Sequence, residues 1–270
     1  MSKARLLAAG ASLYVSTSAA MYLYFSSSAA SAPSAPTSPC SGHAQGPARF
    51  GELAGSYDSR IEADELVMFV PLLRRFLLRS ASGRVLEVGA GTGRNLPYYG
   101  FGGGAGSVSS LTLLDAAPEM LRAAAAKASA LPPPQPDVRL LRASAEDLAP
   151  VATGTFDTVV STFTLCSYED PKRALREMQR ACEPAGRILL LEHGLGSYGW
   201  LNRRLGSGRE EHVRKWGCEW DRDVLGLVGE SGMEVESVWR FHFGTSYLIW
   251  ARPGPRNPRA VEFGGVDTDA

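Results

Sequence analysis

Cysteine is scarce in this 270-residue chain. Cys40, Cys166, Cys182 and Cys218 lie far apart and form no C-x-x-C pair. Such spacing suggests neither a zinc site nor a disulfide framework, and it fits a compartment where thiols stay reduced. An excess of charge of either sign is also missing, since 28 basic and 28 acidic residues leave a formal net charge of zero. Without a global basic field, nothing points to nucleic acid; without an acidic tract, nothing points to a solvating tail. No internal repeat is visible, and no Asp or Glu precedes Glu52. What remains, 44% hydrophobic and 21% charged residues, suits one globular core with an unusual leader.

That leader begins with Lys3 and Arg5, followed by an uncharged apolar run from Leu6 to Phe25. The run is diluted by Ser12, Ser16, Thr17 and Ser18, and carries Tyr14, Tyr22 and Tyr24 as candidate interface residues. At about 1.5 Å per residue it is long enough for one helical crossing of a core about 30 Å thick. A basic, Ser- and Ala-rich, acid-free start also suits an organelle transit peptide. A secretory signal peptide would have a shorter apolar region. The expectation is therefore a membrane anchor or targeting segment over 1–25, with a cleaved leader as the alternative. Residues 26–49 are rich in Ser, Ala and Pro and read as a linker. The folded domain spans 50–253, and the Gly/Pro-rich polar stretch 254–270 reads as a tail.

Within the domain, Leu66, Phe69, Val70, Leu73, Phe76 and Leu77 recur at helical spacing, and Pro71 kinks or divides that helix. Short apolar runs at Arg84–Val88, Leu111–Leu114, Val138–Leu141, Phe156–Ser161 and Arg187–Glu192 read as strands. Helices are predicted from Pro118 to about Ala130, over Pro171–Cys182, and over Asp221–Ser231, the last stopping at Gly232. Two strands, Glu234–Phe241 and Ser246–Ala251, close the domain as an antiparallel hairpin. The fold class is α/β: a Rossmann-like, seven-stranded, mostly parallel sheet with helices on both faces.

The most specific motif is E-V-G-A-G-T-G, Glu87–Gly93, directly after the first strand. Its glycines let the backbone turn sharply and approach a ligand, and a helix after it would aim its N–H groups into the crevice. The spacing is G-x-G-x-G rather than the G-x-G-x-x-G of dinucleotide sites. Glu87 before it suits a cationic amino-acid group better than a pyrophosphate. A generic turn without a nucleotide is the plain alternative. Asp115, ending the second strand, can accept from ribose hydroxyls. Ala143–Leu148 (A-S-A-E-D-L) offers N–H groups and a carboxylate to a base edge, unless Glu146 or Asp147 only caps a turn. The fourth strand ends in Ser161, Thr162 and Phe163, facing the same crevice or simply packed.

This order of motifs resembles the class I S-adenosylmethionine (SAM)-dependent methyltransferases, in the group with the ubiquinone/menaquinone C-methyltransferases, over roughly Ser56–Pro253. The resemblance implies SAM as cofactor. Glu87, Gly89, Gly91 and Gly93 would hold its methionine part, Asp115 its ribose, and Ala145 and Glu146 its adenine, with Phe163 as floor. E-P-A-G-R-I-L from Glu183 is similar to the family's L-x-P-G-G turn, with Ala185 in place of the first glycine. A closer likeness is to the Oms-type mitochondrial methyltransferases, with the methyltransferase-like seven proteins more distant. It rests on S-Y-D from Ser56, D-E-L-V-M-F from Asp64, L-R-R-F-L-L from Leu73, G-T-G-R-N-L-P-Y-Y from Gly91, L-L-E-H-G from Leu190 and W-G-C-E-W-D from Trp216. By that likeness Tyr57 and Arg94 reach the SAM carboxylate, and a single N-terminal span places the chain at the mitochondrial inner membrane.

A sulfonium already activates its methyl group, so alignment and exclusion of water carry most of the rate. A base is needed only where the acceptor carries a proton. His193 is the candidate base, with a structural histidine as the alternative; His242 reads as structural. Cys166 lines the pocket or packs. Trp216, Cys218 and Trp220 shape an apolar acceptor pocket or pack an insert spanning Ser197–Trp220. The basic run Arg203–Arg214, broken by Glu210 and Glu211, reads as a solvated or membrane-facing surface. The expected partner is a small, lipophilic, quinone-like or thiol acceptor at a membrane, with no nucleic acid and no metal. Methylation of a membrane protein, or a SAM-binding assembly role without catalysis, are the other functions the resemblance allows.

Overall fold

The computed structural model describes residues 46–102, 104, 106–132 and 137–255. The apolar run at 6–25, most of the linker and the tail from 256 lie outside them. Helix α1 (Gly46–Leu53) begins inside the stretch read as linker. Within it Arg49 pairs with Glu52 at 2.8 Å and donates to the Lys215 carbonyl at 3.0 Å. The helical pattern that follows forms two helices, α2 (Tyr57–Val67) and α3 (Val70–Leu78). Between them Phe69 adopts a left-handed conformation, φ 52°. Pro71 lies in the first turn of α3, where its missing N–H leaves no bond unmade, so the break falls just before it.

The sheet contains β1 (Gly83–Val88), β2 (Val108–Asp115), β3 (Asp137–Arg142), β4 (Phe156–Thr162), β5 (Cys182–His193), β6 (Glu234–Phe241) and β7 (Ser246–Arg252). Their order is β3-β2-β1-β4-β5-β7-β6. The first five are parallel, and β7 runs antiparallel to both β5 and β6, as the short closing connection predicts. Central strands are covered on both faces, which is why Val85–Val88 and Ile188–Glu192 are continuously buried instead of alternating. Helix α5 (Pro171–Ala181) is capped by Asp170, whose carboxylate accepts from the Arg173 amide at 2.9 Å, and it buries Ala174, Leu175, Met178 and Ala181.

Helix α7 (Val224–Ser231) starts later than the apolar pattern suggests, because Asp223 caps it by accepting from the Gly226 amide at 3.0 Å. The insert forms α6 (Gly199–Trp216), and α4 (Pro118–Ser129) crosses from β2 to β3. One core lies between the sheet and α5 and α7; the other lies between the sheet and α3 and α4. Among the described residues no helix is long and apolar enough to cross a membrane.

Leu190 sits fully buried in β5, opposite Ser161 on one side and Ile249 on the other. We expect Leu190→Ala to cost about 2–5 kcal/mol in urea denaturation. Leu66→Ala, at a side chain 59% exposed, should stay within about 0.5 kcal/mol.

Candidate active site

Strand order reverses between β1 and β4: the chain leaves β1 toward β2 and β3, then returns to build β4 and β5 on the other side. In open α/β sheets such a switch point opens a crevice at the carboxyl ends of the strands. The Glu87–Gly93 loop, Asp115, the loop after β3, Phe163 and His193 all lie at that edge.

The glycine loop is shaped by close approach. Gly89 has φ 69°, and a Cβ there would stand 2.5 Å from Thr164 Cγ2 and 2.8 Å from the Tyr168 hydroxyl. Gly91, φ 54°, has open space before it, and its amide donates to Asp115 Oδ2 at 2.8 Å. Asp115 Oδ1 accepts from the Ala117 amide at 2.9 Å. Burial raises the Asp115 pKa, and these two donors partly offset it. The helix expected after the loop does not form. Residues 91–95 are turns, followed only by a short 3-10 turn, Leu96–Tyr98. Pro97 has no N–H to offer a helical ladder, and Gly100 follows closely. The loop's own amides therefore take the place of a helix end.

Glu87 is buried at the end of β1, and its carboxylate is already engaged. Asn95 Nδ2 donates to Oε1 at 3.0 Å and the Tyr99 hydroxyl to Oε2 at 2.8 Å. Burial nevertheless dominates and pushes its pKa up to about 7. Behind it lies Arg74 of α3, which donates to Asn95 Oδ1 at 2.8 Å and Thr162 Oγ1 at 2.9 Å and pairs with Glu65 at 2.7 Å. Its guanidinium also sits 5.3 Å from the Phe163 ring centroid. Thus α2 and α3 are tied to the strand ends by one polar network.

A second buried carboxylate, Glu192, organises the end of β4. It accepts from Ser161 Oγ at 2.9 Å, the Thr164 amide at 3.0 Å, and Thr164 Oγ1 and the Leu165 amide, each at 3.3 Å. Ser161 and Thr164 are hydrogen-bonded to each other as well. These bonds hold Phe163 in a left-handed conformation, φ 57°, which a non-glycine residue seldom adopts. Burial, reinforced by negative charge on Cys166, also raises Glu192 to about 7.

His193 follows Glu192 and is half-buried. Its ring meets Phe163 edge-on with centroids 5.5 Å apart, and its Nε2 lies 3.1 Å from Cys218 Sγ. Cys166 completes a cluster in which His193 and the two sulfurs lie within 4.8 Å of one another. The hydrogen bond from Cys218 lowers the Cys166 pKa, while burial and that same neighbour raise Cys218. Burial alone would lower His193, but the negative Cys166 and Glu192 outweigh it and hold its pKa above the ordinary range.

The other predicted residues are placed less simply. Tyr57 is half-buried, and burial first, then negative charge on Cys166, raises its phenol pKa. Arg94 is held by Glu65 at 2.7 Å and Asp58 at 3.2 Å, and would have to yield part of these pairs to reach a ligand. Ala145 is buried in the core. Glu146 accepts from the Glu169 amide at 2.8 Å and ties the loop after β3 to the turn before α5; Asp147 accepts from the Ala149 amide at 3.2 Å, as a turn cap does. Sequence reasoning missed Arg74, Asn95, Tyr99 and Tyr168. Asn95 and Tyr99 stood inside the G-T-G-R-N-L-P-Y-Y motif, a usable signal. Arg74 likewise stood inside the L-R-R-F-L-L motif, while Tyr168 carried no signal. The His242 imidazole is buried and bonded to Ser246 Oγ at 2.8 Å, a structural role as expected.

The donor set fits SAM. There is open space before Gly91, a carboxylate at each of two strand ends, and a buried Tyr168 hydroxyl beside Gly89 with no well-formed partner among the described residues. Comparison with known proteins agrees. A methyltransferase domain family matches residues 86–190. The mitochondrial methyltransferase OMS1 of Saccharomyces cerevisiae is 33% identical over 231 residues, 81% of this chain and 48% of the yeast protein. The human thiol S-methyltransferase TMT1B is 35% identical over 124 residues, 45% of this chain and 48% of the human protein. The chain spans about half the length of these curated relatives. Among solved structures, a SAM-dependent methyltransferase from Thermotoga maritima superposes with TM-score 0.54 at 19% identity, over 77% of this chain and 99% of the other. One from Leishmania major gives 0.56 at 17%, over 78% and 82%. At such identities these two show the shared fold.

Glu87 and Glu192 bind their protons more tightly folded than unfolded. Each therefore favours the folded state fully below the unfolded carboxyl pKa, about 4.3, and that contribution is lost as pH rises toward about 7. We expect the ligand-free protein to lose stability across that window relative to Glu87→Gln and Glu192→Gln variants. Urea midpoints at pH 5 and 7.5 measure this; parallel changes in all three proteins would refute the assignment.

Proposed function

Because this chain carries a methyltransferase domain with the class I fold, we propose that it transfers the methyl group of SAM to a small, lipophilic acceptor at a membrane. The observation that carries the reading is the open, left-handed Gly91 facing Asp115 at the switch point, inside the stretch that matches the family. Bound SAM supplies a methyl group already activated by its sulfonium. The protein's part is to bind, align and keep water out.

Glu87 and the Gly89–Gly93 loop receive the methionine end, with Tyr57 and Arg94 toward its carboxylate. Asp115 receives the ribose, which means releasing the Gly91 amide for ligand contact. Ala145 and Glu146 border the adenine, and Phe163 forms the floor. On the acceptor side, Phe163, His193, Cys166 and Cys218 make an apolar, soft wall. His193, raised by its anionic neighbours, takes a proton from an acceptor that carries one. A thiol suits that wall, and one relative is named a thiol S-methyltransferase.

Residues 1–25 serve as anchor or targeting segment and the stretch up to 45 as tether; the catalytic unit, expected over 50–253, takes in the helix from Gly46, and 254–270 serve as tail. A mitochondrial location is supported by the basic, acid-free leader and by the mitochondrial yeast relative.

Calorimetry with SAM tests the reading. A cationic ligand at Glu87 favours its carboxylate, so affinity should tighten from pH 6 to 7.5 by up to roughly eightfold for a pKa near 7. Glu87→Gln should weaken binding and remove that pH dependence. Absence of SAM binding at either pH, or preference for a dinucleotide, would overturn it.

A further inference from the structure

We infer that Cys166, His193 and Cys218 form a binding site for a soft divalent cation of the zinc class, with three protein ligands and a fourth position open to the acceptor side of the crevice. Three independent features carry this. The first is the donor set. Two thiols and an imidazole nitrogen are the ligands zinc prefers, and three protein ligands with one open position is the arrangement of reactive rather than structural sites.

The second is distance. In a tetrahedral shell with metal–sulfur bonds of about 2.3 Å and metal–nitrogen bonds of about 2.0 Å, neighbouring donor atoms stand about 3.5–3.8 Å apart. Here His193 Nε2 and Cys218 Sγ are 3.1 Å apart, and all three donors lie within 4.8 Å of one another. Side-chain rotations of an ångström or less bring them to that spacing.

The third is the frame around them. The Glu219 amide donates to the Cys166 carbonyl at 2.8 Å, clipping the Cys218 loop onto the turn after β4. Arg222 spans the same turn, donating to the Leu165 carbonyl at 2.9 Å and the Tyr168 carbonyl at 2.6 Å. Ser167 Oγ lies 3.4 Å from Cys166 Sγ, where its hydroxyl can support a thiolate. Both sulfurs are buried while His193 is only half-buried, and its ring meets Phe163 edge-on, so the cluster adjoins the crevice through the His193–Phe163 side.

Loading leaves both sulfurs as thiolates and the imidazole neutral, and releases to water whatever protons these three groups carried. His193 then serves as ligand, and the metal takes over lowering the pKa of a coordinated acceptor, such as a thiol whose proton passes to water. That last step rests on the acceptor-side reading of the site given above; the metal binding does not.

The test uses the reduced 270-residue chain, with metal content measured on purification and Zn²⁺ then titrated against a competing chelator. One equivalent is expected, and Co²⁺ in its place should give near-ultraviolet sulfur-to-metal charge-transfer bands. Cys166→Ser, Cys218→Ser and His193→Gln should each weaken binding at least tenfold, while Cys40→Ser should not. Urea denaturation of every variant reports folding independently of metal and of SAM, and calorimetry with SAM is run alongside on the wild type. No stoichiometric metal in wild type, or equal retention by all four variants, would overturn the site. Metal binding without SAM binding would instead defeat the methyl-transfer reading and leave the site standing.

Discussion

The Glu192 carboxylate is the constraint on which the crevice depends. It is buried at the end of β5, and four donors from residues 161–165 converge on it. Two of these are backbone amides, so the turn after β4 has little freedom to take another shape. That turn places Phe163 in its left-handed conformation, sets Thr164 against Gly89, and carries Cys166 toward His193. An ionised carboxylate in such a place is expensive unless its hydrogen bonds are complete. The raised pKa shows that burial still outweighs the donors.

Glu87 repeats the arrangement one strand over from β4. Asn95 and Tyr99 satisfy it, and Arg74 links that pair to Thr162 and, through Glu65, to Arg94. The glycine loop is thereby braced from behind by α3 and from the side by the Glu192 turn. Preorganisation of this kind is what methyl transfer needs, because the chemistry gains most from fixed alignment and excluded water. The groups at the crevice sort along the sheet: the glycine loop and two carboxylates gather at the ends of β1 and β2, and the imidazole and thiols gather at the ends of β4 and β5 and the segment after α6.

Much of this was legible in the residues. Near-continuous apolar runs such as Val85–Val88, interrupted only by Glu87, and Ile188–Leu191 mark strands covered on both faces, and the closing hairpin shows in its short connection. Asp115 at a strand end and the glycine loop before it were readable because their chemistry is local. Three things were not. The missing helix after Gly93 turned on Pro97 and Gly100 against the helix that a glycine loop after a strand leads one to expect. Helix α1 reaches into the stretch read as linker and is tied to the Lys215 carbonyl through Arg49, a contact 166 residues away that no local pattern announces. The thiol–imidazole cluster is invisible to spacing rules, since its members come from three separate segments joined only by the sheet. Arg94 shows the converse: a motif residue whose local signal pointed to a ligand, but which the fold pairs with Asp58 and Glu65.

The most direct measurement is a crystal structure of the chain with S-adenosylhomocysteine. The account predicts the nucleoside between the Gly91 turn and Asp115, the amino-acid end over Glu87, and the sulfur facing Phe163 and His193. Ligand density at any other edge of the sheet, or a sulfur turned away from His193, would contradict it.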